Sequence, residues 1–179
     1  RELPPRDTLT AFIGPPLLES FEKYYGFSRD EARRALAYYR EYFAPTGIFE
    51  NTVYPGIPEA LQELRAAGRR LCVATSKPEV YARRILEHFS LDSCFDAVCG
   101  ATLDETRVRK ADVIAYALET LGAEPDAAVM VGDRLHDIEG AHACGLPALA
   151  TTPAARDWTA WSARRWRQGA CMKRVVPGS

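Results

Sequence analysis

Three shortages bound what this chain can be. No apolar run approaches the length of a membrane span, and no secretory signal opens the sequence, so no membrane association is expected. Neither sign of charge is in excess: 23 Lys and Arg against 24 Asp and Glu leave a net charge of −1, which argues against a nucleic-acid partner. The five cysteines (Cys72, Cys94, Cys99, Cys144 and Cys171) are odd in number and never spaced Cys-x-x-Cys. That pattern removes a zinc site and a disulfide framework and predicts a reduced, cytoplasmic protein. Internal repeats are also missing, and so is an initiator Met before Arg1, which leads us to expect residues upstream. Nothing in the sequence speaks to oligomeric state.

What is present is a chain of 179 residues, 47% of them hydrophobic, enough for a core of ordinary size. Residues 1–52 read as an all-helical segment. Pro15-Pro16 can open a helix carrying Leu17, Leu18, Phe21 and Tyr24-Tyr25, with Gly26 closing it. Ser28 and Glu31 have capping-box spacing for a second helix, on which Ala32, Ala35, Leu36, Tyr39 and Phe43 recur at helical period. The stripe Tyr38, Tyr39, Tyr42, Phe43 is expected to serve mostly as helix-packing core.

After Tyr54-Pro55-Gly56 the pattern changes to strand–helix alternation over 53–150, which implies a parallel α/β sheet. Strands are predicted at Leu71–Thr75, Phe95–Cys99, Ala127–Val131 and Leu146–Ala150. Helices are predicted from Pro58 to Ala67, from the Ser76-Lys77-Pro78 turn to His88, from Lys110 to Leu121, and from about Ile138 to Gly145. Beyond Thr151 the pattern dissolves, and 151–179, with all three tryptophans, is expected to be a poorly ordered tail.

The chain is organised around Val129-Met130-Val131-Gly132-Asp133-Arg134-Leu135-His136-Asp137. Here one carboxylate ends a strand and a second stands four residues on, near the start of a helix. Ligands of open α/β sheets bind at that edge. Two carboxylates converging there call for a donor or a cation, and Mg²⁺ bridging to a phosphate is an economical answer. A turn Asp followed by a capping Asp would leave the same trace. Two further polar signals stand where strands end. Thr75-Ser76 offers hydroxyls beside helix-opening N–H groups, a phosphate cradle or an ordinary cap. Lys110 opens a helix, where the macrodipole disfavours a cation, so an anion is expected close by.

In this order and spacing the signals resemble the haloacid-dehalogenase-like phosphohydrolases, in particular the phosphoglycolate-phosphatase-like branch with a helical cap. Val73-Ala74-Thr75-Ser76-Lys77-Pro78 is similar to that family's second motif, Lys110 to its third, and Gly132-Asp133-Arg134-Leu135-His136-Asp137 to its fourth. Phe12-Ile13-Gly14-Pro15-Pro16-Leu17 looks like that branch's cap, with Gly14 and Pro15 as substrate-side residues, and Tyr54-Pro55-Gly56 looks like the point where the cap rejoins the core. The resemblance implies a Rossmann-like parallel sheet with a helical cap. It implies that Thr75 and Ser76 bind phosphate, that Lys110 neutralises it, and that Thr75, Lys110 and Asp133 are catalytic. Asp133 and Asp137 would hold Mg²⁺. The implied partner is a small phosphorylated metabolite, phosphoglycolate first and a nucleoside monophosphate second.

One departure is large. The family's first motif, Asp-x-Asp-Gly-Thr after an apolar strand, is missing; Asp7-Thr8-Leu9-Thr10 is the nearest imitation and lacks the strand. That motif carries the nucleophile, so the chain as given is expected to be inactive. A non-catalytic phosphate- or partner-binding protein is the rival reading. In such folds the absent strand lies between those ending at Thr75 and Val131. The two strands are expected to flank an open or partly closed gap, with Met172–Val176 the best internal candidate to enter it.

Overall fold

The computed structural model describes Phe12, residues 16–104 and residues 106–151. Gly14, Pro15, Asp7, the tail beyond Thr151 and the candidate strand Met172–Val176 lie outside the described residues.

The described part of the helical segment opens with α1 (Leu17–Tyr25), ended by Gly26 in the left-handed conformation. In α2 (Arg29–Phe43) the capping box is complete: the Glu31 N–H donates to Ser28 Oγ, and the Ser28 N–H donates to Glu31 Oε2 at 2.8 Å. A substitution removing such a cap costs about 1 kcal/mol. The aromatic stripe is not the core it was expected to be. Tyr38, Tyr39 and Tyr42 are exposed, and Phe43 stacks on Tyr39 of its own helix at 4.9 Å and meets Tyr81 of the following α/β segment edge-on at 5.6 Å. The fully buried residue of α2 is instead Ala32, near the start of the helix, and α1 packs on α2.

From α3 (Ile57–Ala66) onward strands and helices alternate: β1 (Cys72–Pro78), α4 (Glu79–His88), β2 (Ala97–Ala101), α5 (Lys110–Leu121), β3 (Met130–Gly132), α6 (Leu135–Ala143) and β4 (Ala148–Ala150). The α/β expectation holds, with shifted boundaries. β1 runs three residues past Thr75, because an irregularity between Thr75 and Pro78 lets the strand continue pairing to Ala101. Helix α4 therefore starts at Glu79 rather than beside Ser76. Gly100 and Gly132, the residues just past the predicted strand ends at Cys99 and Val131, are strand residues. A Cβ on Gly100 would stand 2.6 Å from the Glu79 backbone, so the close approach of β2 to the start of α4 admits only glycine.

The sheet is in two pieces. β1 pairs with β2, β3 pairs with β4, both in parallel, and among the described residues no ladder joins β1 to β3. The expected gap is open. Helix α5 packs across it, against β1 and β2 on one side and α6 on the other. Its Val113 and Ala117 join Cys99 in one core cluster, while its Ile114 joins Ala141 and Leu146 in another; Ala74 touches both.

Candidate functional site

The carboxyl ends of β1 and β3 carry the predicted residues, and Lys110 ties them together. Its Nζ donates to the Ala74 carbonyl of β1 at 3.1 Å and lies 2.9 Å from Asp137 Oδ1 on α6. Both side chains are about nine-tenths buried. The anion expected beside a cation at a helix start is thus supplied by the protein. A buried pair of this kind holds only when its remaining hydrogen-bonding capacity is filled. Here the second carboxylate oxygen, Oδ2, accepts from the Arg134 N–H at 3.2 Å, and the Asp137 N–H donates back to the Arg134 carbonyl at 3.0 Å. This reciprocal pair opens α6 and sets the turn that carries Asp133.

Two glycines make room for the arrangement. A Cβ on Gly132 would fall on the Asp137 side chain, 2.5 Å from its Cβ, and a Cβ on Gly140 would meet Lys110 Cγ at 2.6 Å. The Gly in Gly-Asp-x-x-x-Asp is therefore a packing requirement of the second carboxylate.

Thr75 is the last β1 residue before the irregularity. Its Oγ1 accepts from the Lys77 N–H at 3.1 Å, which orients the hydroxyl and leaves its proton free to donate. Ser76 lies within the irregular stretch itself. Lys77 points its ammonium at the Phe43 ring, 4.7 Å from the centroid, and burial lowers its pKa below the usual lysine value. The contact ties the end of α2 to the strand end beside Thr75. Asp133 is the exposed member of the set. Its side chain is half exposed and its nearest cation, Arg134 Nε, is 3.8 Å away.

For a hard cation the two carboxylates are therefore not equivalent. Both Asp137 oxygens have partners, whereas Asp133 keeps oxygen lone pairs available. Mg²⁺ needs only one or two protein carboxylates, since it retains waters and binds substrate phosphate oxygens. Among the described residues no three His, Cys, Asp or Glu side chains cluster as a metal site, and of the two carboxylates only Asp133 has oxygens left to meet an ion, while Asp137 fixes the turn.

Sequence reasoning assigns no role to Glu79 or Arg107, yet they fix the other side of the site. Glu79 accepts from Arg83, from the Gly100 N–H at 3.3 Å and from Arg107 at 3.2 Å; Arg107 also donates to the Gly100 carbonyl and stacks 3.7 Å over Tyr116. This cluster clamps the end of β2 to the start of α4 and shapes the loop that leads to Lys110. An acidic residue opening a helix is too common a pattern to have singled Glu79 out. Among the described residues no helix is long and apolar enough to cross a membrane.

The comparisons with known proteins agree with one another. The family model described as "Haloacid dehalogenase-like hydrolase" matches residues 2–151. A 5'-nucleotidase of Pseudomonas aeruginosa is 45% identical over 141 residues, covering 79% of this chain and 64% of that protein. The tyrosine-protein kinase PtkA of Mycobacterium tuberculosis is 42% identical over 80% of this chain and 49% of its own length. A phosphoglycolate phosphatase of Rhodospirillum rubrum is 40% identical over 70% and 54%. This chain thus spans between about half and two thirds of the length of these relatives. Among solved structures, a predicted phosphatase from Clostridium acetobutylicum superposes with a TM-score of 0.80 at 46% identity, over 83% of this chain and 69% of that one.

Proposed function

Because the chain belongs to the haloacid dehalogenase-like hydrolases, we propose that its site serves Mg²⁺-dependent hydrolysis of a small phosphorylated metabolite in the cytoplasm, with phosphoglycolate the first candidate substrate. The observation that carries this reading is Lys110. Its buried ammonium sits between the β1 carbonyl next to Thr75 and the carboxylate that sets the Asp133 turn, so the phosphate-binding and metal-binding residues share one anchor.

In this reading the Thr75 hydroxyl donates to a phosphoryl oxygen, and Ser76 lines the same strand end. Lys110 offsets phosphoryl charge from a fixed position, which requires little reorganisation during reaction. Asp133 holds the ion, and Asp137 keeps both Lys110 and the Asp133 turn in place. Mg²⁺, when bound, supplies charge neutralisation at the transferring group. The nucleophile implied by the resemblance is an aspartate that would form an aspartyl-phosphate, and no Asp-x-Asp-Gly-Thr occurs in this sequence.

The absent motif also favours the second reading, in which the chain binds a phosphorylated ligand or a partner without turning it over. Reading the coding DNA upstream of Arg1 for Asp-x-Asp-Gly-Thr separates the two. For the chain as given, the test is binding: inorganic phosphate with Mg²⁺, added to ¹⁵N-labelled protein, should shift the amides of Thr75, Lys110 and Asp133 saturably. Amides at these positions that stay unmoved at millimolar phosphate sink the proposal.

A further inference from the structure

Cys72 and Cys99 stand 27 residues apart in the chain, with no Cys-x-x-Cys spacing to announce them, yet the fold brings their sulfurs to 3.8 Å. Cys72 opens β1 and Cys99 is the middle residue of β2. Cys72 pairs with Ala97, and Ala74 pairs with Cys99. The two cysteines therefore share one face of the ladder, offset by two residues. Val113 and Ala117 of α5 pack on that face with Cys99, and Ala74 and Ala97 complete an apolar lining. Cys99 is 1% exposed, whereas Cys72 is half-buried, so the pair is reached from the Cys72 side. Neither sulfur has a part in the phosphoryl site proposed above.

The offset decides what two such sulfurs can do. Two residues along a parallel ladder and one strand across it separate the Cα atoms by about 8 Å. A disulfide needs a Cα separation of about 7 Å or less and an S–S bond of about 2 Å, so closing one would pull β1 and β2 out of register. A metal–thiolate bond of about 2.3 Å instead spans the 3.8 Å between the sulfurs at an S–metal–S angle of about 110°, with no backbone movement. The surroundings select the class of ion. Among the described residues no third His, Cys, Asp or Glu side chain joins the pair. Asp96, the carboxylate whose charge reaches Cys72, is held by the Leu71 N–H at 2.7 Å and by the Arg65 guanidinium. A hard cation would find no oxygen cage here, and zinc would lack the third and fourth ligands of its usual structural sites. Sulfur ligands in an apolar lining favour a soft ion that sheds water readily, Cu(I) above all.

We propose that Cys72 and Cys99 form a binding site for one soft monovalent cation of the Cu(I) class, held as a bridge between β1 and β2. On binding, both thiols release their protons to solvent and two metal–sulfur bonds form, while a small external donor fills the open position on the Cys72 side. The ion offsets one of the two negative charges the sulfurs acquire. It also fastens β1 to β2, its one paired neighbour among the described residues.

The test titrates the full chain, reduced and free of oxygen, with Cu(I) supplied as its acetonitrile complex in the presence of the coloured Cu(I) chelator bicinchoninate. One equivalent should be withheld from the chelator. A sulfur-to-metal absorption band should rise in the near ultraviolet to the same endpoint, and the amides of Cys72, Cys99 and Val113 should shift in ¹⁵N NMR. Cys72→Ser, at the half-buried position, should weaken retention 100-fold or more while the circular dichroism spectrum stays as in the parent chain. Cys99→Ser should act alike; Cys72→Ser is the decisive variant because its position tolerates a hydroxyl. Cys94→Ser, Cys144→Ser and Cys171→Ser, each made singly, should retain the ion like the parent. Zn²⁺ at the same concentration should leave the three amides in place. A parent chain that withholds no Cu(I), or retention untouched by Cys72→Ser, overturns the site. Equal shifts with Zn²⁺ overturn its assignment to a soft monovalent ion.

Discussion

The two strand pairs start from the same plan, a short parallel ladder whose carboxyl ends carry polar residues, and they are finished differently. In the β1–β2 half, Val98, Cys99 and Ala101 are buried, and the Glu79 cluster ties strand ends to helix start and loop. In the β3–β4 half, Val129 and Val131 remain 43% and 41% exposed and Leu135 68%. Within the first half there is a further inequality: β2 is mostly buried, while every residue of β1 is only half-buried. Among the described residues every strand has a paired neighbour on one side only, so the inequality comes from what covers the strand faces, and the free edges of β1 and β3 are the ones that meet at the gap. Apolar β-branched residues left at such an edge invite pairing with another strand. The comparison teaches that the candidate site spans the weakest seam of the fold, with Thr75 on one side and Asp133 on the other, and that Lys110 is the polar link across it.

The largest effect should come from cutting that link. Lys110→Met leaves Asp137 as an unpaired buried carboxylate, and unfolding by urea should show a loss of about 3 kcal/mol. Asp137→Asn should cost a similar amount, and the double variant Lys110→Met/Asp137→Leu clearly less than the sum of the two. Additive losses would mean that the halves are joined by packing alone.

Next come the glycines, one in each half. Gly100→Ala drives a Cβ into the Glu79 backbone between β2 and α4, whereas Gly132→Ala meets Asp137 from its Cβ outward, so the start of the less tightly packed α6 must shift with it. Overpacking costs typically ~1–3 kcal/mol, and Gly100→Ala should lie at the upper end with Gly132→Ala below it. Gly132→Ala, by displacing Asp137, should also loosen the Lys110 contact; a phosphate titration followed at Lys110 would reveal that. The reverse order of stabilities would refute the view that the first half is the more tightly built.

A third measurement addresses the seam directly. In native-state hydrogen exchange, amides of β1 bonded to β2 should be protected while those on its other edge exchange rapidly, and β3 should show the same contrast toward β4. Uniform strong protection along both β1 and β3 in a monomer would mean that the sheet is continuous and the open gap wrong.

Much of this was legible in the sequence, and the misses are instructive. Local signals placed α1, α2 and α5 well, because Gly26, the Ser28–Glu31 pair and Gly122 act through their own neighbours. Strand ends were placed less well. Whether Ser76–Pro78 extends a strand or opens a helix depends on Ala101 lying opposite, a contact 23 residues away that no local pattern encodes. The tyrosines of α2 were read as a core face, yet the fully buried residue of the helix is Ala32, the smaller one. At the site, Gly-Asp-x-x-x-Asp identified both carboxylates as special without distinguishing them. That Lys110 reaches Asp137 and leaves Asp133 open is a tertiary fact.

The smallest expected effect concerns the neighbouring thiols of the better-packed half. Cys72 and Cys99 sit on adjacent strands with their sulfurs 3.8 Å apart. Burial, followed by the neighbouring Cys99, pushes the Cys72 thiol up to about 12. An unfolded chain ionises the same thiol near the ordinary cysteine value, about 8.5. The folded state therefore holds the proton more tightly. The resulting stability is fully present below the unfolded value and is lost progressively as pH rises toward the folded one. At pH 7 the contribution is flat, so Cys72→Ala should show its distinguishing effect only in alkali. Between about pH 9 and 11, the native protein should lose stability more steeply with pH than the Cys72→Ala variant. Alkylation of the folded protein by iodoacetamide at pH 8 should leave Cys72 largely unmodified, since the thiolate is the reacting form. Parallel stability curves for the two proteins, together with rapid alkylation at Cys72, would show that β1 is more open to solvent than its ladder to β2 implies. The contrast between the two halves would then have to be redrawn, with the seam running along both edges of β1.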